Sequence, residues 1–313
     1  MIFGDDMMIF LIILAVLIFI LTCVSAYFFS VAIVRKKTSD YTASPAWAPF
    51  AERIKEGRKW FDATPYERVE IQSYDGLALR GRFYANGDSK KTLLLMHGYH
   101  SRGVNDFGCV GEFYFGLGFN LLVPDQRAHG ESEGKYITYG VCERYDCLYW
   151  INYLNSRIGT DSDVFLDGIS MGAATVLMAA GLDLPSNVRG IIADCGFTSP
   201  YEIFKHVLRR DYHLPPFPII HITGLFSRPV AGFGFKQYST LEAMKTNKIP
   251  IIFVHGEDDD FVPPWMSKAA YDACTADKYI TIVPGAKHGM SYLVDTEGSE
   301  KKLIDFFEKY STK

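Results

Sequence analysis

The sequence predicts an α/β protein, in which a mainly parallel sheet is covered by helices on both faces. From Tyr66 onward, short continuous apolar runs alternate with segments of helical periodicity, which is the pattern of buried parallel strands and their crossover helices. One of these runs leads directly into a G-x-S-x-G at residues 168–172. The chain also begins with an apolar stretch that is too long for an ordinary globular helix.

This N-terminal stretch, residues 7–34, contains no charged side chain. It exceeds the ~20 apolar residues that a spanning helix needs, so it predicts a single-pass membrane anchor in contact with lipid. Arg35, Lys36 and Lys37 follow it directly, and basic flanks tend to stay cytoplasmic, which places the C-terminal domain in the cytoplasm. The alternative is a signal peptide cleaved near residues 24–26, although a signal peptide favours a basic N-terminus, which is lacking here.

The chain is thus divided into an anchor at residues 1–37, a juxtamembrane connector at 38–64 and a globular domain at 65–313. Three apolar side chains of the connector fall at helical spacing: Trp47, Phe50 and Ile54. Such a stripe more often packs on its own domain, and the alternative is a helix lying along the membrane surface.

Within the domain, two predicted strands flank the turn Tyr74-Asp75-Gly76, a hairpin signature that supplies an antiparallel edge. The other elements alternate. Further strands are predicted, in chain order, at residues 92–96, 121–123, 164–166, 188–193, 250–254 and 279–283. Helices are predicted at 139–154, from 171 to about 180, at 264–274 and at 300–310.

One insertion, about residues 198–248, interrupts this alternation and is rich in aromatic residues and proline. It follows the carboxyl end of a strand, where ligands bind in open α/β sheets. We therefore expect a small helical lid with an apolar underside. The alternative is an ordinary packed extension that does not contact a ligand.

A G-x-S-x-G between a strand and a helix thrusts its serine out at the top of the sheet, which here is Ser170. The N–H of Met171, at the helix N-terminus, is then aimed at a developing oxyanion. A serine nucleophile needs a base, and the base needs an acid to orient it. His288 follows the last predicted strand on a loop containing Gly285 and Gly289, and we expect it to be the base.

The acid should come from the segment His255–Pro263, which contains three adjacent aspartates at 258–260, and Asp194 at the end of the neighbouring strand is an alternative. The second oxyanion donor should be the N–H of Tyr99, because Gly98 lets the backbone turn inward there. The His97 side chain is expected to support this loop rather than to react.

Composition excludes several classes of function. A net charge of −4 gives no electrostatic case for nucleic-acid binding. The six cysteines show no C-x-x-C pair, so we expect neither a metal site nor a disulfide framework. No dinucleotide-binding or phosphate-binding loop motif occurs, and no cofactor is expected.

Five motifs, in this order, resemble those of the α/β-hydrolase superfamily, and within it the Bem46-like and serine-aminopeptidase-like hydrolases. They are His97-Gly98, Asp125-x-Arg127-x-His129-Gly130-x-Ser132, Gly168-x-Ser170-x-Gly172, His255-Gly256-x-x-Asp259-x-x-Val262-Pro263 and His288-Gly289. The resemblance implies the α/β-hydrolase fold, with Ser170 as nucleophile, His288 as base and Asp259 as acid. It chooses Asp259 among the three adjacent aspartates. Ala128 departs from the family pattern, since it stands where glycine is usual.

The expected activity is that of a membrane-anchored serine hydrolase, which cleaves a carboxylic ester or thioester with an apolar acyl group through an acyl-enzyme. Its substrate would be a small or acylated molecule. A serine peptidase or amidase of the same fold is the nearest alternative, in which Glu202 or Asp211 would bind a peptide's N-terminus. A non-catalytic binding protein on the same fold is the alternative of another class.

Overall fold

The computed structural model describes residues 2–38 and 44–312. Eight strands form one sheet in the order β1-β2-β4-β3-β5-β6-β7-β8. The strands are β1 (Glu67–Gln72), β2 (Ala78–Tyr84), β3 (Lys91–Met96), β4 (Asn120–Pro124), β5 (Asp163–Ile169), β6 (Val188–Asp194), β7 (Ile251–Gly256) and β8 (Lys278–Val283). β2 pairs antiparallel with β1 and with β4, and every other neighbouring pair is parallel. The mainly parallel sheet and its antiparallel edge are therefore confirmed.

Helices precede the sheet, cover it and follow it. A 3₁₀ turn (Pro45–Phe50) leads into α2. The α-helices are α1 (Ile2–Ala32), α2 (Ala51–Ala63), α3 (Gly103–Asp106), α4 (Gly111–Gly116), α5 (Glu143–Ile158), α6 (Met171–Ala179), α7 (Pro200–Asp211), α8 (Pro216–Ala231), α9 (Thr240–Met244), α10 (Trp265–Ala273), α11 (Ser291–Val294) and α12 (Thr296–Tyr310). α7, α8 and α9 fall within the expected lid region.

The central strands are buried on both faces, as a sheet between two helical layers requires. Leu94 of β3 and Leu166 of β5 join an apolar cluster that includes α5 and α6. Their neighbours Leu93 and Phe165 point to the opposite face and join a cluster that includes α12. Because successive strand residues alternate in direction, the continuous apolar runs of the sequence are explained by these two cores.

Three predicted helix boundaries are each wrong by four residues: the helix expected at 139–154 is α5 (Glu143–Ile158), and the closing helix expected from residue 300 begins at Thr296. The helix expected from Tyr139 begins at Glu143, because Tyr139 and Gly140 adopt positive φ angles of 55° and 91°. The Glu143 carboxylate accepts hydrogen bonds from the N–H groups of Thr138 and Gly140, both at 2.8 Å. These bonds hold a tight turn in place of the first helical turn, although the side chains there have helical spacing.

α1 is the one helix in the described ranges that is long and apolar enough, by length and composition, to cross a membrane, over Asp6–Ala32. In the connector, α2 buries Ile54 and Phe61, so its apolar stripe packs on the domain, as the more usual of the two interpretations holds. Residues 39–43 of the connector lie outside the described residues. The division into anchor, connector and domain stays a prediction.

Candidate active site

Ser170 lies alone between the end of β5 and the start of α6, with φ 57° and ψ −113°. A non-glycine residue in this region of φ and ψ is strained, as expected at a sharp strand-to-helix turn. A side chain on Gly172 would overlap the Met96 carbonyl group, and one on Gly168 would overlap the backbone of Gly172. Both flanking glycines are therefore required by close backbone packing.

The structure brings His288 and Asp259 to this serine. His288 Nε2 lies 3.0 Å from Ser170 Oγ, and its Nδ1 lies 2.7 Å from Asp259 Oδ2. Each of the three residues follows the carboxyl end of a parallel strand, so all three lie at the same edge of the sheet. The result is an unbroken hydrogen-bonded chain from carboxylate to imidazole to hydroxyl.

The Asp259 carboxylate is fully enclosed and heavily hydrogen-bonded. Its Oδ1 accepts hydrogen bonds from the N–H groups of Phe261 at 2.9 Å and Val262 at 2.8 Å. Burial by itself would raise the pKa of Asp259, but contacts with His255 and His288 outweigh it and hold that pKa well below the usual value. The Asp259 carboxylate therefore stays ionised while it is hydrogen-bonded to the His288 imidazole.

His255 is a contributor to the site that the sequence analysis did not identify. Its Nε2 lies 3.2 Å from Asp259 Oδ2 and 2.7 Å from the Val262 carbonyl oxygen, and Ser267 Oγ lies 2.7 Å from its Nδ1. The buried imidazole of His255 thus contacts the same carboxylate oxygen of Asp259 as His288 does. The available signal was its place in the His255-Gly256-x-x-Asp259 motif, four residues before the carboxylate.

The alternative acid, Asp194, is placed differently. It lies near the triad, but its Oδ1 accepts a hydrogen bond from Ser291 Oγ at 3.1 Å, and His288 is bonded to Asp259 instead. Burial raises the pKa of Asp194 to about 6. Its backbone carbonyl accepts a hydrogen bond from the Ser170 N–H at 2.8 Å. Asp194 therefore stabilises the strand-to-helix turn at Ser170, called the elbow below, rather than the imidazole.

The N–H groups of Tyr99 and Met171, the two expected oxyanion donors, make no hydrogen bond to another group within the described ranges. Gly98 beside Tyr99 donates its N–H to Asp106 Oδ2 at 2.7 Å, and Asp106 Oδ1 accepts from Ser101 Oγ at 2.5 Å. Asp106 therefore holds the loop that carries Tyr99, a role that the sequence analysis missed.

His97 supports the loop through its ring. Nε2 accepts the Gln126 N–H at 2.9 Å and Nδ1 lies 2.7 Å from the Gly98 carbonyl oxygen. Nearby, Ala128 has a φ of 61°, which explains why glycine is usual at that position. Asp125 accepts the Glu131 N–H at 2.8 Å and so closes the turn that contains Ala128.

Two cavities meet at Ser170. The lid cavity, about 180 Å³, is walled by apolar side chains from the lid, including Phe204 and Leu208, and by Phe28, Val31 and Ala32 of α1. The outer cavity, about 280 Å³, lies on the other side of the serine, between Trp47 of the connector and His100, Ser101 and Asp106. One side of Ser170 is thus lined by apolar side chains, and the other side also carries polar groups.

Within the described ranges, the side chains close enough to hold a metal ion together are Cys195, Asp259 and His288. Two of these already form the chain to Ser170, and burial raises the pKa of the Cys195 thiol well above its usual value, which opposes the thiolate that a metal requires. That the protein needs no metal or cofactor stays a prediction.

Comparison with known proteins bears on the family and the fold. The profile of the Prolyl oligopeptidase family matches residues 113–313. The uncharacterized protein YqkD of Bacillus subtilis is 29% identical over 238 residues, which cover 76% of this chain and 78% of that protein. Protein bem46 of Schizosaccharomyces pombe is 25% identical over 246 residues, covering 77% of this chain and 76% of its own.

A solved structure of the Pyrococcus furiosus esterase Pf2001 superposes with a TM-score of 0.67 at 22% identity, and covers 90% of this chain and 99% of its own. This likeness supports the fold, and the α/β-hydrolase fold expected from the motifs is confirmed. Because the family profile spans well over half of the sequence, the chain belongs to the prolyl oligopeptidase family, and with it to the α/β-hydrolase superfamily.

Proposed function

We propose that this protein is a membrane-anchored serine hydrolase that cleaves a carboxylic ester or thioester with an apolar acyl group. One observation carries the proposal: the hydrogen-bonded chain from Asp259 through His288 to Ser170 ends at the wall of an apolar cavity. A serine placed in this way can attack an acyl carbon whose chain lies in the cavity.

In the proposed mechanism, His288 Nε2 takes the Ser170 hydroxyl proton as the oxygen attacks the acyl carbonyl. The Tyr99 and Met171 N–H groups stabilise the oxyanion of the tetrahedral intermediate. His288 then gives its proton to the departing alcohol or thiol, which leaves an acyl-enzyme at Ser170. Water, deprotonated by the same imidazole, releases the acid and restores the serine. No step requires a cofactor.

The two cavities suggest how the substrate lies. The lid cavity would hold the acyl group among Phe204, Leu208 and Phe28, since burial of each methylene contributes ~0.8 kcal/mol. The outer cavity, with His100 and Ser101 in its wall, would hold the leaving group. The likeness to a structure described as an esterase is consistent with this choice.

Peptidase activity is the alternative, in keeping with the name of the family. The two acidic residues considered for binding a peptide's N-terminus are already paired: Glu202 with Lys205 at 3.0 Å and Asp211 with Arg210 at 2.5 Å. Neither lines the cavities at Ser170. These pairs favour ester over aminopeptidase chemistry. A non-catalytic protein is disfavoured because the elbow and its partners are all in place.

For localisation, we propose that α1 anchors the protein and that the hydrolase domain faces the cytoplasm. Lys36 and Lys37 are exposed and can stay at the lipid headgroups. Arg35 instead donates to the carbonyl oxygens of Ser132 and Gly130, both at 2.6 Å, so part of the basic cluster serves the fold. Ser25, within the considered cleavage site, is fully buried, and cleavage there would expose packed surface.

The test is covalent labelling with a fluorophosphonate probe, together with hydrolysis of p-nitrophenyl esters of rising chain length. Wild type should be labelled by the probe and should hydrolyse the esters. Ser170→Ala should do neither, while it keeps the wild-type unfolding temperature. Ser156→Ala removes an exposed serine on α5 and serves as the matched control, with both activities intact. Labelling of Ser170→Ala at the wild-type rate would overturn the assignment of the nucleophile.

A further inference from the structure

α1 does not leave the protein as an isolated anchor, because its last turns are part of the domain. Residues 6–20 are exposed on all sides, whereas Ser25, Phe28 and Ile33 are buried. Phe28 packs edge-to-face on Tyr212 of the lid, with ring centroids 4.8 Å apart. The helix thus changes surroundings along its length, from exposed on every side to packed on the lid along one side, while Tyr27 on the other side stays 54% exposed.

The contact between α1 and the lid helix α8 resembles a helix pair inside a membrane. Ser25 Oγ donates to the Ile219 carbonyl oxygen at 3.4 Å, and Thr223 Oγ1 lies 3.3 Å from the Ser25 carbonyl oxygen and 2.8 Å from that of Ile219. Small hydroxylated residues let two apolar helices approach closely and satisfy one another in the absence of water.

The length of α1 points the same way. At ~1.5 Å per residue, the fifteen exposed residues 6–20 span about 22 Å, which is less than the ~30 Å of a hydrocarbon core. The missing length must be supplied by the part of α1 that lies beside α8. The outer side of α8 carries two largely exposed apolar side chains there, Phe217 at 71% and Leu225 at 73%, with the exposed His221 between them.

The contacts between α1 and α8 predict how deep Phe217 and Leu225 each lie in the membrane. Ser25 of α1 meets Ile219 and Thr223, and Phe29, four residues further on, lies 6.5 Å from Phe226 between ring centroids. The two helices therefore advance in the same direction. Phe217, at the beginning of α8, lies closest to the exposed span of α1.

The lid cavity lies beside this surface. Six of its wall residues are half-buried or exposed: Val31 and Ala32 of α1, Val207 and Tyr212 of the lid, and Tyr99 and Phe261 near Ser170. We infer that it opens on the side formed by α1 and α7. An apolar cavity of ~150 Å³ holds a benzene-sized group. At about 180 Å³, the lid cavity therefore holds only the first several carbons of an acyl chain, and a longer chain must extend out past α1.

We propose that the lid rests in the membrane surface beside α1, with α8 in contact with lipid, and that the substrate is a single-chain acyl ester of the bilayer. Its chain enters the lid cavity between α1 and α7, and its polar alcohol lies in the outer cavity. The assignment rests on the proposed hydrolase function for its substrate and on the geometry of α1 and α8 for the membrane contact.

The membrane contact is tested without any activity measurement. Full-length Phe217→Trp, Leu225→Trp and Tyr149→Trp are reconstituted in nanodiscs with and without brominated phosphatidylcholine. Tyr149 is an exposed aromatic residue of α5 and the matched control. The added fluorescence should be quenched strongly for Phe217→Trp, less for Leu225→Trp and not for Tyr149→Trp. Equal fluorescence of all three in brominated and ordinary lipid would overturn the proposal.

The route of entry is tested by activity. Phe217→Glu should hydrolyse a long-chain monoacyl ester in nanodiscs at least fivefold more slowly than wild type, while its rate on soluble p-nitrophenyl butyrate stays within twofold. Tyr149→Glu should match wild type on both substrates. A wild-type rate of Phe217→Glu on the bilayer ester contradicts entry from lipid. Loss of fluorophosphonate labelling in wild type would instead refute the hydrolase function, leaving the quenching result intact.

Discussion

The hydroxyl of Tyr99 donates a hydrogen bond to the backbone carbonyl of Ala32 at 2.9 Å. Tyr99 lies on the loop after β3, beside Ser170, and Ala32 is the last residue of α1. The Tyr139 hydroxyl donates to the same carbonyl oxygen at 2.8 Å. Since the last carbonyls of a helix lack partners within it, the two tyrosines terminate the apolar helix and join it to the active-site loop.

The two tyrosines should therefore be coupled in stability. Tyr99→Phe and Tyr139→Phe should each lower the free energy of unfolding by about 1 kcal/mol, because the remaining hydroxyl still satisfies the carbonyl. The double variant should lose roughly 1 kcal/mol more than the sum, since the Ala32 oxygen is then left without a side-chain donor. Urea unfolding of wild type, the two single variants and the double variant in detergent measures this coupling free energy.

Tyr153→Phe, which removes an exposed hydroxyl that accepts from Arg157, is the control and should have little effect. Strict additivity of the Tyr99 and Tyr139 changes would show that the two hydroxyls do not share the carbonyl.

The positions of Ser170 and His288 beside one another were predictable because their signals are local, and their catalytic roles stay a proposal. The elbow spacing around Ser170 requires glycines whose side chains would overlap backbone, and the glycine-bounded loop marks His288. The choice of Asp259 came from family resemblance, and the structure places that carboxylate, rather than Asp194, on the imidazole. The inner strands β3 to β7 were predictable because each is buried on both faces and contains a continuous apolar run, whereas β1 and β8 at the edges are partly exposed.

The environment of α1 could not be predicted, because a helix that is apolar on every side does not reveal which side meets lipid and which meets protein. Ser25 and Phe28 differ from their neighbours only in what the fold places beside them. The roles of Asp106 and His255 were also hidden, since each acts through a hydrogen bond made only in the folded chain.

Asp106 should be a positioning residue for the oxyanion loop. Asp106→Ala removes the acceptor for the Gly98 N–H and the Ser101 hydroxyl, so the orientation of the Tyr99 N–H should no longer be fixed. Because a well-placed oxyanion donor contributes ~10²–10³ in kcat, we expect kcat to fall roughly 10- to 100-fold with KM changed less than threefold. Steady-state hydrolysis of a p-nitrophenyl ester measures both constants.

Glu112→Ala on the exposed side of α4 is the matched acidic control and should retain wild-type kcat. A rise in KM with kcat unchanged would assign Asp106 to substrate binding instead.

Asp167, beneath the site, should make stability depend on pH. Burial raises the pKa of its carboxyl to about 7, and Tyr114 donates its hydroxyl proton to Oδ2 at 2.6 Å. The folded protein therefore keeps a proton that the unfolded chain has lost above about pH 4, so stability falls as pH rises from about 4 to 7. The loss is ~1.4 kcal/mol per pH unit at most.

Asp167→Asn keeps the acceptor for Tyr114 without the charge, so it should be more stable than wild type at pH 8, with the advantage vanishing near pH 4. Unfolding temperatures across this range measure the effect. Asp88→Asn, at an exposed turn, should give no such trend. An Asp167→Asn protein that is less stable than wild type at pH 8 would mean that the carboxylate is stabilised by a group that burial alone does not reveal.

Val31 tests whether α1 forms part of the acyl site. Its side chain lines the lid cavity, so Val31→Phe should fill space that an acyl chain would occupy. If the ring displaces two methylenes, about 1.6 kcal/mol of burial is lost, which corresponds to a roughly 15-fold lower ratio of octanoate to acetate kcat/KM. Because an acetyl group needs only the innermost part of the cavity, the acetate value should change far less.

Val230→Phe makes the same substitution at an exposed position of α8 outside the cavity, and its ratio should equal that of wild type. An unchanged ratio in Val31→Phe, with wild-type labelling of Ser170, would place the acyl chain elsewhere and leave α1 as an anchor only.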